Sequence, residues 1–258
     1  MKTLNLASFS SIRIGPIAKI SLIEEQQKLP PNGFILGGCN NLLFSDDLPP
    51  LFMLSKNFDF IHLGKNTLHI GGATKSGKIL SYAKKHNIAH FELMQKLPGT
   101  LGGMIKMNAG LKEWEVFKYL LAIKTSQGWI PKEAIKYDYR YTNIKDIIYE
   151  AKFELEYGFD NELLGMFKRF RDNQPKLPSA GSCFKNPPNN FAGKLLDEAG
   201  LKGKRIGGME FSSSHANFLV NLGGGTFQEA VELITLAKKE VLEKFQIELQ
   251  LELQIVKK

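Results

Sequence analysis

From Phe227 to Phe245, apolar residues return at helical spacing: Phe227, Ala230, Val231, Ile234, Val241, Leu242 and Phe245. Side chains three or four apart share one helix face, so this spacing predicts a helix with that face in the core. Thr226 and Glu229 stand where a capping box would close its first turn. Just beyond, the period drops to two. Ile247, Leu249, Leu251, Leu253 and Ile255 alternate with Glu248, Gln250, Glu252 and Gln254. That pattern predicts a half-buried strand with one polar face. On pattern alone Glu252 is one of four outward polar residues, and Glu248 shares its face.

The first half of the chain reads as short apolar runs set between Gly and Pro. Ile12–Ile14, Gly33–Leu36, Leu51–Leu54, Thr67–Ile70, Leu121–Thr125 and Ala151–Leu155 are strand candidates. Ser76 to His86 reads as a helix with Ser76 as its N-cap. Between Phe170 and Pro178 the composition turns polar and proline-containing, which places a domain boundary at or before it.

Composition narrows the class. Of 258 residues, 43% are hydrophobic and 23% charged, as in ordinary globular proteins. No apolar run approaches the roughly 18–20 residues of a membrane helix, and Met1–Asn5 opens no signal-peptide core. A cytoplasmic protein without membrane contact is expected. The net charge of +8 fits a solvated basic surface or the steering of small polyanions. Lys202, Lys204 and Arg205 form the densest basic group, too small for a nucleic-acid surface. Cys39 and Cys183 lie far apart, outside zinc-ligand spacing, so no metal is expected.

Glycines carry the candidate chemistry. Gly72–Lys78 nearly spells a phosphate-binding loop, but Ile79 stands where a hydroxyl must meet magnesium. No G-x-G-x-x-G occurs. Three loops do follow strands: Gly37-Gly38-Cys39-Asn40-Asn41-Leu42, Gly71-Gly72, and Pro98-Gly99-Thr100-Leu101-Gly102-Gly103 with Asn108-Ala109-Gly110 close behind. Backbone without Cβ lets a phosphate come close to N–H groups, so a large ligand wrapped by amides is expected. A second block, Ser179-Ala180-Gly181-Ser182-Cys183-Phe184-Lys185-Asn186-Pro187, sets a hydroxyl, an amine and an amide within five residues.

Those blocks, with Tyr139-Arg140-Tyr141-Thr142, Ala192–Gly203 and Ser214–Asn221, occur in the order seen in UDP-N-acetylenolpyruvoylglucosamine reductases (MurB), flavoenzymes of peptidoglycan precursor synthesis. The chain resembles that family over nearly its whole length, in the short subclass without an extra tyrosine-bearing loop. The resemblance implies an α+β fold: a two-lobed FAD-binding domain of the vanillyl-alcohol oxidase type and a smaller α+β substrate domain. On this sequence these are residues 1–155, with lobes of about 1–55 and 56–155, and residues 156–258, the final strand returning to the active site.

It further implies FAD as cofactor, NADPH as co-substrate, a UDP-sugar enolpyruvate as substrate, and a monomer. Carried over residue by residue, Arg140 faces the enolpyruvyl carboxylate, Ser182 donates the proton, and Glu252 assists protonation or charge stabilisation. Gly37, Gly38, Asn40, Asn41, Leu42, Pro98, Gly99, Thr100, Gly102, Gly103, Asn108, Ala109 and Gly110 would hold the flavin. Tyr139, Lys185, Asn186 and Asn217 would touch substrate. Cys39 departs from the family's third glycine, Asn40 from its serine, and Lys96-Leu97 from its Gly-Ile. An oxidase of another alcohol on the same fold would not need Arg140, Ser182 and Glu252 together. A basic nucleic-acid binder would need clustered lysines and stacking aromatics, which are absent.

Overall fold

The computed structural model describes residues 1–172 and 174–258. Its contacts form two compact units. The first comprises Met1–Lys2, Ile20–Gly38 and Pro50–Asp172; the second comprises Thr3–Lys19, Cys39–Pro49 and Asn173–Lys258. The boundary expected after residue 155 is therefore displaced. Helix Asn161–Asp172 joins the first unit because Phe167 is fully buried there, edge-on to Trp114 at 5.3 Å. The early segments join the second because Ile12, Ile14 and Leu43 sit in its core.

In the first unit five antiparallel strands lie in the order Gly128–Pro131, Leu120–Thr125, Glu150–Glu154, Thr67–Gly71, Ile61–Leu63. Alternation turns Leu68, Ile70, Ile123, Ala151 and Phe153 into the core. Helices Ser76–Lys85, Leu101–Lys106 and Asn161–Asp172 cover that face with Ile79, Ala83, Leu101, Met104, Ile105 and Phe167. A parallel sheet in the same unit pairs Ile20 with Leu51 and Phe34 with Leu51. Helix Ser76–Lys85 starts one residue earlier than expected, with Lys75 at the N-cap and no side-chain cap. The neighbouring loop does that work instead: the Ser76 N–H donates to the Gly99 carbonyl at 3.0 Å.

In the second unit the antiparallel order is Ser179–Ser182, Phe218–Asn221, Met209–Phe211, Arg205–Ile206. Helix Phe227–Phe245 packs on it through Ala230, Leu233, Ile234, Ala237 and Val241, while Leu242 is 46% exposed and leaves the expected stripe. The capping box is formed: the Glu229 N–H donates to Thr226 Oγ1 at 3.3 Å and the Thr226 N–H to Glu229 Oε2 at 2.9 Å.

Two strand expectations change. Ile12 and Ile14 are buried around Arg13, but Arg13 has φ 59° and no ladder forms; the Asn221 amide binds the Ile12 carbonyl instead, at 3.0 Å. The alternating C-terminal run yields only the strand Gln254–Val256, parallel to Leu42–Phe44. Its earlier residues keep the alternation of burial, with Leu249 and Leu253 inside, but pair with irregular backbone.

Candidate active site

Ser182 ends its strand at a register shift, one residue after Gly181, whose φ of +79° suits glycine. The chain after it is pinned from two sides. The Cys183 N–H donates to the Asn217 carbonyl at 2.7 Å, and the Asn217 side chain takes both backbone groups of Phe184, accepting its N–H at 2.9 Å and donating to its carbonyl at 2.8 Å. On the other side the C-terminal run lies antiparallel, with Phe184 opposite Leu251. The Lys185 N–H donates to the Gln250 carbonyl at 2.8 Å, and the Glu252 N–H to the Cys183 carbonyl at 2.9 Å. Two residues the sequence puts seventy apart thus meet: the backbone of Glu252 is bonded to the residue after Ser182. Asn41 clamps the same place, its amide donating to the Glu252 carbonyl at 2.9 Å while its own carbonyl accepts the Gln254 N–H at 2.9 Å.

Ser182 opens onto a pocket of about 580 Å³, lined also by Asn186, Phe191, Lys194, Lys202 and His215. Its volume suits a ligand of nucleotide-sugar size. Asn186 accepts the Ala192 N–H at 3.1 Å and so ties the pocket wall to the start of helix Ala192–Glu198. His215 has its pKa lowered, first by burial, so it lines the pocket as a neutral imidazole at pH 7 and accepts the Asn217 N–H through Nδ1 at 3.3 Å.

The first unit builds a second cluster. Arg140 lies at φ 53°, folding its half-buried guanidinium back on the chain: Nη1 donates to the Asn108 carbonyl at 3.2 Å and Nη2 to the Gly110 carbonyl at 2.7 Å. The Tyr139 ring lies 5.0 Å away. Asn108 is fully buried; its amide donates to Glu115 Oε2 at 2.8 Å and to the Asp138 carbonyl at 3.1 Å, while its Oδ1 has no partner among the described residues. Arg171, 8% exposed, donates through Nη1 to the Lys96 carbonyl at 3.3 Å, and its Nε has no partner among the described residues. Burial and then the charge of Arg140 lower its pKa to about 10, so it stays cationic at pH 7.

In the same unit glycine permits close approach, to a side chain at Gly37 and to backbone at Gly110. A Cβ on Gly37 would lie 2.7 Å from Thr100 Oγ1, and one on Gly110 would lie 2.2 Å from the Trp114 carbonyl oxygen. The Gly102 N–H is spent on the Gly72 carbonyl at 2.9 Å, so that amide holds the loop together. Among the described residues no group of His, Cys, Asp and Glu is arranged to hold a metal.

Comparison with known proteins decides the family. The profile of "UDP-N-acetylenolpyruvoylglucosamine reductase, C-terminal domain" matches residues 173–256. The UDP-N-acetylenolpyruvoylglucosamine reductase of Helicobacter hepaticus is 47% identical over 257 residues, covering 98% of this chain and 98% of its own. That of Helicobacter pylori strain J99 is 41% identical over 258 residues, covering 99% and 98%. The chain belongs to the UDP-N-acetylenolpyruvoylglucosamine reductase family. The crystal structure of the Thermus caldophilus member (MurB) superposes with a TM-score of 0.85 at 26% identity, covering 99% of this chain and 98% of its own, and shares the mixed helix-and-strand fold.

Within this reductase-family fold, Ser182, Asn186 and Asn217 line one pocket and the Glu252 backbone is tied beside Ser182. Arg140, Asn108 and Gly110 form the other cluster, with Ala109 buried between them. Leu42 is buried in its strand, where it opposes Gln254. Lys185 is held through its backbone outside the pocket lining. Sequence reasoning missed Arg171 and Phe191. Arg171 sits in an amphipathic helix beside Lys168 and Arg169, where an arginine reads as a surface residue. Phe191 stands beside a recognised block as a single aromatic, with no periodic signal.

Proposed function

We propose that this protein reduces the enolpyruvyl group of UDP-N-acetylglucosamine enolpyruvate to UDP-N-acetylmuramate, with FAD as cofactor and NADPH as reductant, for peptidoglycan synthesis. The observation that carries the reading is the fixed placement of Ser182 on a nucleotide-sugar-sized pocket with the Glu252 segment bonded beside it. Family membership supplies the substrate class. No helix among the described residues is long and apolar enough to cross a membrane, and we place the enzyme in the cytoplasm as a monomer.

We read the residues present as able to hold a flavin, in a fold of the vanillyl-alcohol oxidase type as the family resemblance implies. Asn108 Oδ1 and Arg171 Nε are buried groups whose hydrogen-bonding capacity is unspent among the described residues, and buried polar atoms need partners. In the first unit Gly37, Gly38, Pro98, Gly99, Thr100 and Gly103 would meet the cofactor by backbone, with Asn108 and Gly110 beside Arg140. Bound FAD, reduced by NADPH, would supply the hydride for C3 of the enolpyruvyl group.

The chain's own chemistry is charge and proton handling. Hydride addition to C3 leaves negative charge shared between C2 and the carboxylate, and a cation at Arg140 stabilises that charge as it develops. The Ser182 hydroxyl gives its proton to C2, and its oxygen regains one from solvent. A serine is a weak acid, so its contribution rests on position and on the strong basicity of the carbon it serves. Glu252 stabilises the proton-transfer arrangement next to Ser182. Tyr139 would steady the Arg140 guanidinium against the substrate.

The test is spectroscopic. The purified protein should show a flavin spectrum that NADPH bleaches and the enolpyruvyl substrate restores without oxygen. Ser182→Ala should still bleach with NADPH but lose turnover by roughly 10²–10⁴-fold. A colourless protein that takes up no added FAD sinks the reading.

A further inference from the structure

We propose that Phe191 is the platform on which the uracil ring of the nucleotide substrate stacks. This rests on the function proposed above and adds a base-binding residue to its pocket. Phe191 is 67% exposed. A single exposed apolar side chain is ordinary by itself; the setting of this one is what points to a ligand. Its backbone is tied at both ends. The Phe191 N–H donates to Asn190 Oδ1 at 2.8 Å, and its carbonyl accepts the Leu195 N–H at 3.1 Å. The next residue, Ala192, is fully buried and donates its N–H to Asn186. The ring therefore lines the pocket of about 580 Å³ from a tied base, with most of its surface exposed.

The other large side chains of that pocket are polar or charged: Asn186, Lys194, Asp197, Glu198, Lys202 and His215. Phe191 supplies its benzene ring, an apolar face among hydrogen-bonding groups. The substrate is likewise uneven. Its enolpyruvyl end must reach Ser182, its middle is a diphosphate, and its far end is a flat heteroaromatic base. Lys194 and Lys202 stand in the same lining, now in exposed ion pairs with Glu198 at 3.8 Å and Asp197 at 3.0 Å. Such exposed pairs are weak and exchange readily for another anion. With the reacting end at the serine and the phosphates among the lysines, the base is the part left for the apolar ring. Stacking buries both faces without requiring a hydrogen bond, which a phenylalanine can offer in full.

The experiment uses the FAD-loaded enzyme and calorimetric titration with UDP and, separately, with N-acetylglucosamine 1-phosphate, which lacks the base. Phe191→Ala should weaken UDP binding roughly tenfold or more and raise KM for the full substrate by a similar factor, with the effect falling on KM rather than kcat. Phe191→Trp should restore both, and N-acetylglucosamine 1-phosphate should bind all three proteins alike. Flavin content and melting temperature report that the variants are folded. Unchanged UDP affinity in Phe191→Ala overturns the proposal, as does a loss confined to N-acetylglucosamine 1-phosphate, which would put the ring under the sugar. A wild-type enzyme that is reduced by NADPH yet binds no UDP also overturns it. UDP binding that depends on Phe191 in a protein the enolpyruvyl substrate cannot reoxidise would keep the base site and remove the reductase.

Discussion

Cys39 takes φ 52°, a left-handed conformation that glycine enters without strain, which accounts for the glycine expected there. Burial pushes its thiol up to about 12 and raises that of Cys183 as well. At pH 8 only about one Cys39 in ten thousand would be thiolate, the reactive form. Neither cysteine should therefore react with a disulfide reagent until the protein unfolds, and rapid native labelling of Cys39 would refute this. Arg171 makes the opposite case, a charge kept where it costs stability. Its pKa falls from 12.5 to about 10, through burial first and Arg140 second. Below pH 10 the folded state bears the whole penalty of about 3 kcal/mol. Between pH 10 and 12.5 the unfolded chain holds more protons, so stability rises with pH across that window. We expect Arg171→Met to stabilise the flavin-stripped protein in urea unfolding while weakening FAD binding. A less stable stripped variant would argue that the arginine serves structure.

Helix Phe227–Phe245 was legible because its period and its capping box speak the same language. Glu229 does more than the box requires, since its carboxylate also accepts the Gly208 N–H at 3.2 Å. Its pKa is lowered, first by the Thr226 N–H and then by that of Gly208. A carboxylate with a depressed pKa adds stability above its ordinary value of 4.5 and loses it as pH falls through the folded one. Glu229→Gln should thus melt lower than wild type at pH 7, with the difference closing as pH drops well below 4.5. A difference constant with pH would point to shape rather than charge. The C-terminal run was legible only in part. Its alternation correctly marked Leu249 and Leu253 as inward, yet a period of two reports which residues are buried and says nothing of what the backbone pairs with. Here the partner is the irregular chain after Ser182, so a single bridge and a few hydrogen bonds replace a ladder.

Across the whole molecule, what the sequence carried best was the set of blocks that identify the family, because such blocks depend on particular residues at single positions, as Gly37 and Gly110 show at their close approaches. It carried the assembly poorly. Ile12, Ile14 and Leu43 reach the second unit's core from the start of the chain, and Phe167 draws a helix into the first unit. Such long-range packing has no local signature, since any apolar residue can fill a distant gap. The scattered surplus of positive charge, +8 in total, was visible but ambiguous. The ligands proposed above would account for it: a UDP-sugar carboxylate and NADPH are both polyanions, and a basic surface raises the encounter rate of such molecules. That effect is screened over about 10 Å at 0.1 M salt. We therefore expect kcat/KM for the enolpyruvyl substrate to fall steadily between about 20 and 300 mM salt, with kcat at saturation much less affected. If kcat/KM is flat over that range, the surface charge plays no part in capture, and the lysines of the pocket act only once the substrate is bound.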